Sequence, residues 1–197
     1  YLQDCIESLR TQTPALSEIV VVDGASSDGS VELAELLGIR VVRRSNIGLA
    51  HLYNTGVAAT SAPYVFLANN DIALEADCLQ RLVAPLAADP TVFATDARQR
   101  DWHGTRTIHA RTILTRGRMT REFLPGLHLD PNVPADVTSP TVCANGAAMM
   151  VRRSHFDALA GFDETFFMEW EDLDLCWRAW LRGWTTLYVP DAVVRHR

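Results

Sequence analysis

The stretch "SEIVVVDGASSDGSVELAELLGIRVVRR", residues 17 to 44, decides the fold class. Its apolar run from Ile19 to Val22 is short and β-branched, the pattern of a buried strand rather than a helix. A polar turn follows, then "SVELAELLG" reads as a helix closed by Gly38, and "IRVVRR" as a second strand. Strand, turn, helix and strand in that order make a βαβ unit.

The alternation continues outward. "GLAHLYNTGVAAT" reads as a helix, "APYVFLANND" as a strand, "DCLQRLVAPLAADP" as a helix and "TVFATDA" as a strand. Upstream, Leu2, Cys5, Ile6 and Leu9 recur at helical spacing, so the chain starts inside a helix. Strands this continuously apolar are covered on both sides. The expectation is an α/β fold, with a mostly parallel central sheet flanked by helices.

After Ala97 the pattern breaks. Residues 98 to 140 hold seven arginines (98, 100, 106, 111, 116, 118 and 121) and scattered prolines, and read as a variable insertion. Order returns with "TVCANGAAMMVRRSHF", a strand leading into a short helix. "EWEDLDLCWRAWLRGW" is a helix with acids in its first turns and Arg178 and Arg182 near its end, as the helix dipole favours. "TTLYVPDAVVRHR" supplies a closing strand pair. A single domain spans 1–197.

Composition narrows the function classes. Acids outnumber bases 24 to 18 for a formal net charge of -6, which argues against a nucleic-acid partner. All 18 basic residues are arginine, so Schiff-base chemistry and lysine-dependent phosphate loops are excluded. The four cysteines form no CxxC pair, and buried, reduced thiols in a cytoplasmic protein are expected. No apolar run approaches the roughly 20 residues of a membrane helix, and no signal-peptide pattern is visible.

Three polar clusters follow predicted strands: Asp23 with "GASSDGS", Asn46 with Gly48, and "NND" at 69 to 71. Ligands of open parallel sheets bind at that edge, where helix amino termini face the crevice. Ser26, Ser27 and Asp28 are equally good helix caps. The Gly24 to Gly29 spacing fits neither a Walker loop nor the dinucleotide fingerprint. Asn54 is an uncomfortable mid-helix residue that would suit a crevice-facing group. Asp71 is either a turn former or a ligand for a hard cation such as Mg²⁺ or Mn²⁺. His196, ending an apolar strand, is either structural or a further metal ligand.

The most unusual stretch is "FFMEWEDLDLCWRAW", residues 166 to 180, which mixes Glu169, Glu171, Asp172 and Asp174 with large apolar residues. Dipole-favoured acids at a helix start explain exposed carboxylates, but not ones interleaved with Phe167, Met168 and Trp170. A carboxylate facing a crevice is what an attacking hydroxyl needs when it must lose its proton. The aromatics would then pack beneath the acids or stack on a ligand in the crevice.

Taken together, "VVVDGASSDGS", "NIGLAHLYNTG", "YVFLANND", "NGAAMMVRRSHFDALAGFDETFFMEWEDLDLCWRAWLRGW" and "VVRH" resemble the successive blocks of family 2 glycosyltransferases, across nearly the whole chain. The subgroup they resemble contains bacterial enzymes that add rhamnose and related sugars to polysaccharides. The resemblance implies a GT-A fold, a nucleotide-diphospho-sugar donor of UDP or dTDP type, and Mg²⁺ or Mn²⁺. It implies transfer with inversion to a glycan or lipid-linked saccharide, at the cytoplasmic side of a membrane. Residues 1–97 would form the nucleotide-sugar half and 141–197 the acceptor and catalytic half. Asp23 would hold the base, with Gly24, Ser26, Asp28, Asn46, Gly48, Asn54, Asn69, Asn70, Asp71, Asn145 and Gly146 along the donor. Asp71 would be the metal carboxylate, with His196 beside it. Asp172 would be the catalytic base, supported by Glu171 and Asp174.

The DxD motif of the family reads Asn69-Asn70-Asp71 here, and Gly24 stands where relatives often carry Asn. The resemblance also places a strand ahead of Tyr1. Two other readings stay open. A sugar-1-phosphate nucleotidyltransferase would need a glycine-rich start and a phosphate-binding lysine, and a non-catalytic sugar- or protein-binding module would need neither. The arginine-rich segment is either a grip for an anionic acceptor or membrane surface, or a solvated loop.

Overall fold

The computed structural model describes residues 1–13, 15–113 and 132–197. The expected first half is present. Helix α1 (Leu2–Arg10) precedes β1 (Val20–Asp23), α2 (Ser30–Leu36), β2 (Arg40–Arg43), α3 (Leu49–Ala58) and β3 (Tyr64–Ala68). A short β4 (Ile72–Leu74), α4 (Cys78–Ala88) and a long β5 (Val92–Asp101) follow. Then come β6 (Thr107–His109), β7 (Ser139–Pro140), β8 (Ala148–Arg152), α5 (Arg153–Ala158), α6 (Glu171–Leu181) and β9 (Thr185–His196).

The main sheet has the order β3-β8-β5-β9-β4, with β6 added to β5 and β7 to β9. Period-two alternation divides its core. Val65, Leu67, Met149 and Val151 face one side with α3, α5 and α6, while Phe66, Ala68, Ala148 and Met150 face the other with α1 and α4. Helices therefore cover both faces, as the continuously apolar strands require.

Three expectations need correction in detail. The sheet is mixed rather than mostly parallel: β1–β2 and β5–β9 are parallel, whereas β3–β8, β5–β8 and β4–β9 are antiparallel. Strand β8 arrives after the insertion, free of the helical crossover that forces parallel pairing. The pattern does not end at Ala97, because β5 runs on to Asp101 and turns back into β6. The closing segment is one strand, not a pair. Its register against β5 jumps from Val189 to Val193, and the bulge takes up Pro190, which has no N–H to give the ladder.

The sheet is also interrupted. Strand β1 pairs only with β2, and β3 only with β8 among the described residues, so each leaves an open edge. Between them lies a slot of about 470 Å³, walled by both strands, by Leu2, Cys5, Ile6 and Leu9 of α1, and by Leu49, Leu52, Tyr53 and Gly56 of α3. Its apolar walls and two free backbone edges have the form of a missing strand position.

Candidate active site

The expected polar clusters gather along strand ends near that slot. Asp23 ends β1 and is buried, its carboxylate accepting the Ala25 and Ser26 amides at 3.2 and 3.1 Å. Gly24, Ser26, Asn46, Asn69 and Asn70 line the slot with it. Asp28 is exposed and caps the Ser30 amide and hydroxyl at 3.1 and 2.6 Å, which holds its carboxyl below the ordinary range.

Asn54 has every polar atom engaged. It donates to the Phe162 carbonyl and to Glu164, each at 2.9 Å, and accepts the Phe162 amide at 2.9 Å. It clamps the loop that precedes α6. Only glycine fits at Gly161, where a Cβ would come within 2.5 Å of Asn54 Oδ1. The other end of the loop crosses the start of α3 so closely that a Cβ on Gly48 would lie 2.9 Å from the Phe167 carbonyl, which the Leu49 amide meets at 2.7 Å.

That loop reverses the usual placement of acid and aromatic. Phe167, Met168 and Trp170 are 57%, 64% and 64% exposed, whereas Glu171 is 4% exposed. The aromatics do not pack beneath the acids. Glu169 and Trp170 both take positive φ, 66° and 72°, to turn the chain into α6. Glu171 Oε2 is buried and has no hydrogen-bond partner among the described residues. Burial pushes the Glu171 carboxyl up; its own amide opposes this, and the Asp172 and Glu169 charges add to it. Asp174 pairs with Arg178 at 2.8 Å, and Arg178 in turn holds the Leu159 and Gly161 carbonyls.

Asp172 is different. Its Oδ2 accepts the Gly146 amide at 3.0 Å and its Oδ1 the Leu173 amide at 2.7 Å, leaving the carboxylate half-buried with unused lone pairs. The Tyr53 hydroxyl lies 2.7 Å from the Gly146 carbonyl and 3.0 Å from the Asn69 side chain, joining α3, β3 and the 145–147 turn. Burial, followed by the charges of Glu171, Asp172 and Asp71, pushes this phenol well above its ordinary range, so it is neutral.

On the other side of the same turn, Asn145 Oδ1 accepts from Gln99 at 3.1 Å. Gln99 contacts His196 Nδ1 at 2.7 Å, and His196 Nε2 lies 3.2 Å from Asp71 Oδ1. Tyr53, Gln99 and the 145–147 turn thus link Asp172 to Asn69 and His196 through hydrogen bonds, with Asp71 3.2 Å from His196. Asp23 lines the same slot as Asn69 and Asn70.

The donor chemistry of Asp71 and His196 suits a hard divalent cation. Two ligands at right angles on an octahedral ion with bonds of about 2.0–2.1 Å lie about 2.9 Å apart, close to the observed pair. No group of three or more His, Cys, Asp or Glu residues gathers among the described residues. Protein would therefore supply two ligands, with phosphate oxygens and water the rest.

Several residues escaped sequence reasoning: Tyr53, Gln99, and the buried pair of Asp96 and His109. Asp96, fully buried, accepts the Asn145 amide at 3.1 Å and meets His109 at 2.9 Å. The available signal was a pair of polar residues, Asp96 and Gln99, inside an otherwise apolar strand. Of the arginine-rich segment, Arg116, Arg118 and Arg121 lie outside the described residues. Arg98 and Arg111 are engaged by Tyr188 and by the Ala135 and Val133 carbonyls.

This α/β arrangement, a central sheet flanked by helices, is that of the GT-A glycosyltransferases. Residues 1–158 match the glycosyl transferase family 2 model, and the chain belongs to that family. It is 29% identical over 225 residues to the N-acetylglucosaminyl-diphospho-decaprenol L-rhamnosyltransferase of Mycobacterium tuberculosis, covering all of this chain and 71% of that one. It is 26% identical to the rhamnosyltransferase WbbL of Escherichia coli, covering 96% and 76%. Among solved structures, GalNAc-T7 with UDP, GalNAc and Mn²⁺ superposes with a TM-score of 0.76 at 19% identity, over 98% of this chain and 40% of that one. The mannosyltransferase PcManGT of Pyrobaculum calidifontis with GDP-Man and Mn²⁺ gives 0.71 at 19%, over 99% and 52%. The chain thus spans about half or less of those two structures, and their likeness concerns the fold.

Proposed function

We propose that this protein transfers a sugar, with inversion, from a nucleotide-diphospho-sugar to a hydroxyl of a lipid-linked saccharide. The observation that supports this is the hydrogen-bonded path from Asp172, through the 145–147 turn and Gln99, to His196, which lies 3.2 Å from Asp71. Base and diphosphate site would then lie on one rim, as a direct displacement needs.

In this reading the acceptor hydroxyl gives its proton to Asp172 as its oxygen bonds to the anomeric carbon, while the bond from that carbon to the diphosphate breaks. The two backbone N–H groups on Asp172 hold the carboxylate in place and leave it free to accept the proton. Glu171 and the neutral Tyr53 are buried nearby. Asp71 and His196 would hold Mg²⁺ or Mn²⁺, whose chemistry is Lewis-acid relief of charge on the departing diphosphate. Asp23, Gly24 and Asn46 line the slot edge proposed for the nucleoside.

The relative from Mycobacterium tuberculosis is named for a diphospho-decaprenol acceptor, which supports a lipid-linked acceptor here. No helix among the described residues is long and apolar enough to cross a membrane. Peripheral contact at the cytoplasmic face is the proposed location, a reading that rests on the lipid-linked acceptor. The test is to incubate the full-length protein with a panel of nucleotide-sugars, Mn²⁺ and a polyprenyl-diphospho-sugar acceptor. Release of nucleoside diphosphate with one donor, matched by a product heavier by one sugar, is expected. No release with any donor would sink the reading.

A further inference from the structure

The polar chain beside the candidate metal pair has a direction, and a backbone amide sets it. Ala147 N donates to Asn145 Oδ1 at 3.0 Å, so the atom facing it must be the oxygen of that side-chain amide. Gln99 therefore meets the same oxygen with its Nε2, at 3.1 Å. Its other end, Oε1, then faces His196 Nδ1 at 2.7 Å, and an oxygen acceptor there requires that Nδ1 carry the hydrogen. A neutral ring so arranged presents the Nε2 lone pair to Asp71 Oδ1, 3.2 Å away. In that form two acceptors face each other, an arrangement that either a proton or a metal cation would bridge.

We infer that Gln99 and Asn145 are positioning residues that lock His196 in its Nδ1–H form, aiming the Nε2 lone pair with Asp71 at one cation. The locking elements are rigid. Gln99 is 2% exposed in β5, and the Asn145 amide is tied to the fully buried Asp96 at 3.1 Å. A neutral imidazole in water favours the opposite form, so the preference would be one the protein imposes. Outer partners of this kind typically tune metal affinity by about 10- to 100-fold.

The test has two arms. Ring ¹⁵N chemical shifts and one-bond couplings of His196, recorded on the metal-free protein where the ring is neutral, report which nitrogen bears hydrogen. Nδ1–H is expected in the wild type and in Gln99→Glu, which keeps an oxygen toward His196. A shift to Nε2–H, or to a mixture, is expected in Gln99→Met, which fills the same space without either bond. Nε2–H in the wild type overturns the inference, as does an unchanged tautomer in Gln99→Met. If neither variant folds, the wild-type spectrum alone decides.

The second arm rests on the transferase reading. Mn²⁺ affinity is measured by electron paramagnetic resonance with nucleoside diphosphate present and no turnover. A loss of about 10- to 100-fold is expected in Gln99→Met, with a smaller change in Gln99→Glu. Equal losses in both variants would overturn the tautomer account. A locked tautomer with no Mn²⁺ binding in any form would leave the tautomer lock standing but overturn its aim at a cation, and would count against the transferase reading.

Discussion

Asp172 Oδ2 accepts the amide of Gly146 at 3.0 Å, a bond that ties the first turn of α6 to the turn leading into β8. The same turn carries Asn145, whose partners lead to His196 and Asp71. Two carboxylates a hundred residues apart are thus tied to one largely buried turn, Asp172 directly and Asp71 through its contact with His196. Displacing this turn should disturb both ends of the site together.

The buried pair behind the turn gives a pH prediction. Burial alone would lower the His109 imidazolium, but the hydrogen bond and charge of Asp96 overcome that and hold it above its ordinary 6.5. A raised folded-state value means that the stabilisation is fully present below about pH 6.5 and is lost as pH climbs through the higher folded value. Burial pushes the Asp96 carboxyl up as well, so its contribution changes in the same direction. Melting temperatures of the wild type should therefore fall from pH 6 toward pH 9, and this fall should flatten in His109→Asn. A profile of equal slope in both proteins would refute the pairing.

The exposed rim gives a second prediction. Trp170 is 64% exposed and makes no core contact, so Trp170→Ala should leave the melting temperature unchanged. Beside the proposed base, it is placed to stack on an acceptor sugar, an interaction worth about 0.5–1.5 kcal/mol. Acceptor KM should rise by about 2- to 10-fold with donor KM unaffected. An unchanged acceptor KM would remove Trp170 from the site.

The slot between β1 and β3 gives a third. Apolar walls and two unpaired edges favour a strand of polypeptide over small solutes. Joining an extended apolar segment ahead of Tyr1 should raise the melting temperature and protect the β1 and β3 amides from hydrogen exchange. If those amides exchange as fast as before, the slot does not accept a strand.

Fold class was legible in the chain because the β-branched runs and Gly-closed helices between Ile19 and Ala97 have distinct periods. Pairing direction was not, since β8 is reached through the long insertion and no local pattern states which way it enters. The closing segment read as a strand pair, and pairing with β5 makes it one strand with a bulge at Pro190. In the site, Asp71 and Asp172 stood out through their neighbours. Gln99 and Asp96 did not, because a polar residue in a buried strand reveals its role only once its partners, His196, Asn145 and His109, are known. The aromatics Phe167 and Trp170 had two readings, packed beneath the acids or stacked on a ligand, and the structure leaves them exposed. Their exposure follows from the two positive-φ residues that start α6.

The central claim is that Asp172 acts as the base on the rim shared with Asp71. Asp172→Asn is the direct test, since the asparagine oxygen can still accept a backbone amide and preserve the turn. Donor affinity by calorimetry should match the wild type, while turnover of nucleotide-sugar with acceptor should fall by at least about 100-fold. Turnover near the wild-type rate, with the variant folded, would contradict the account.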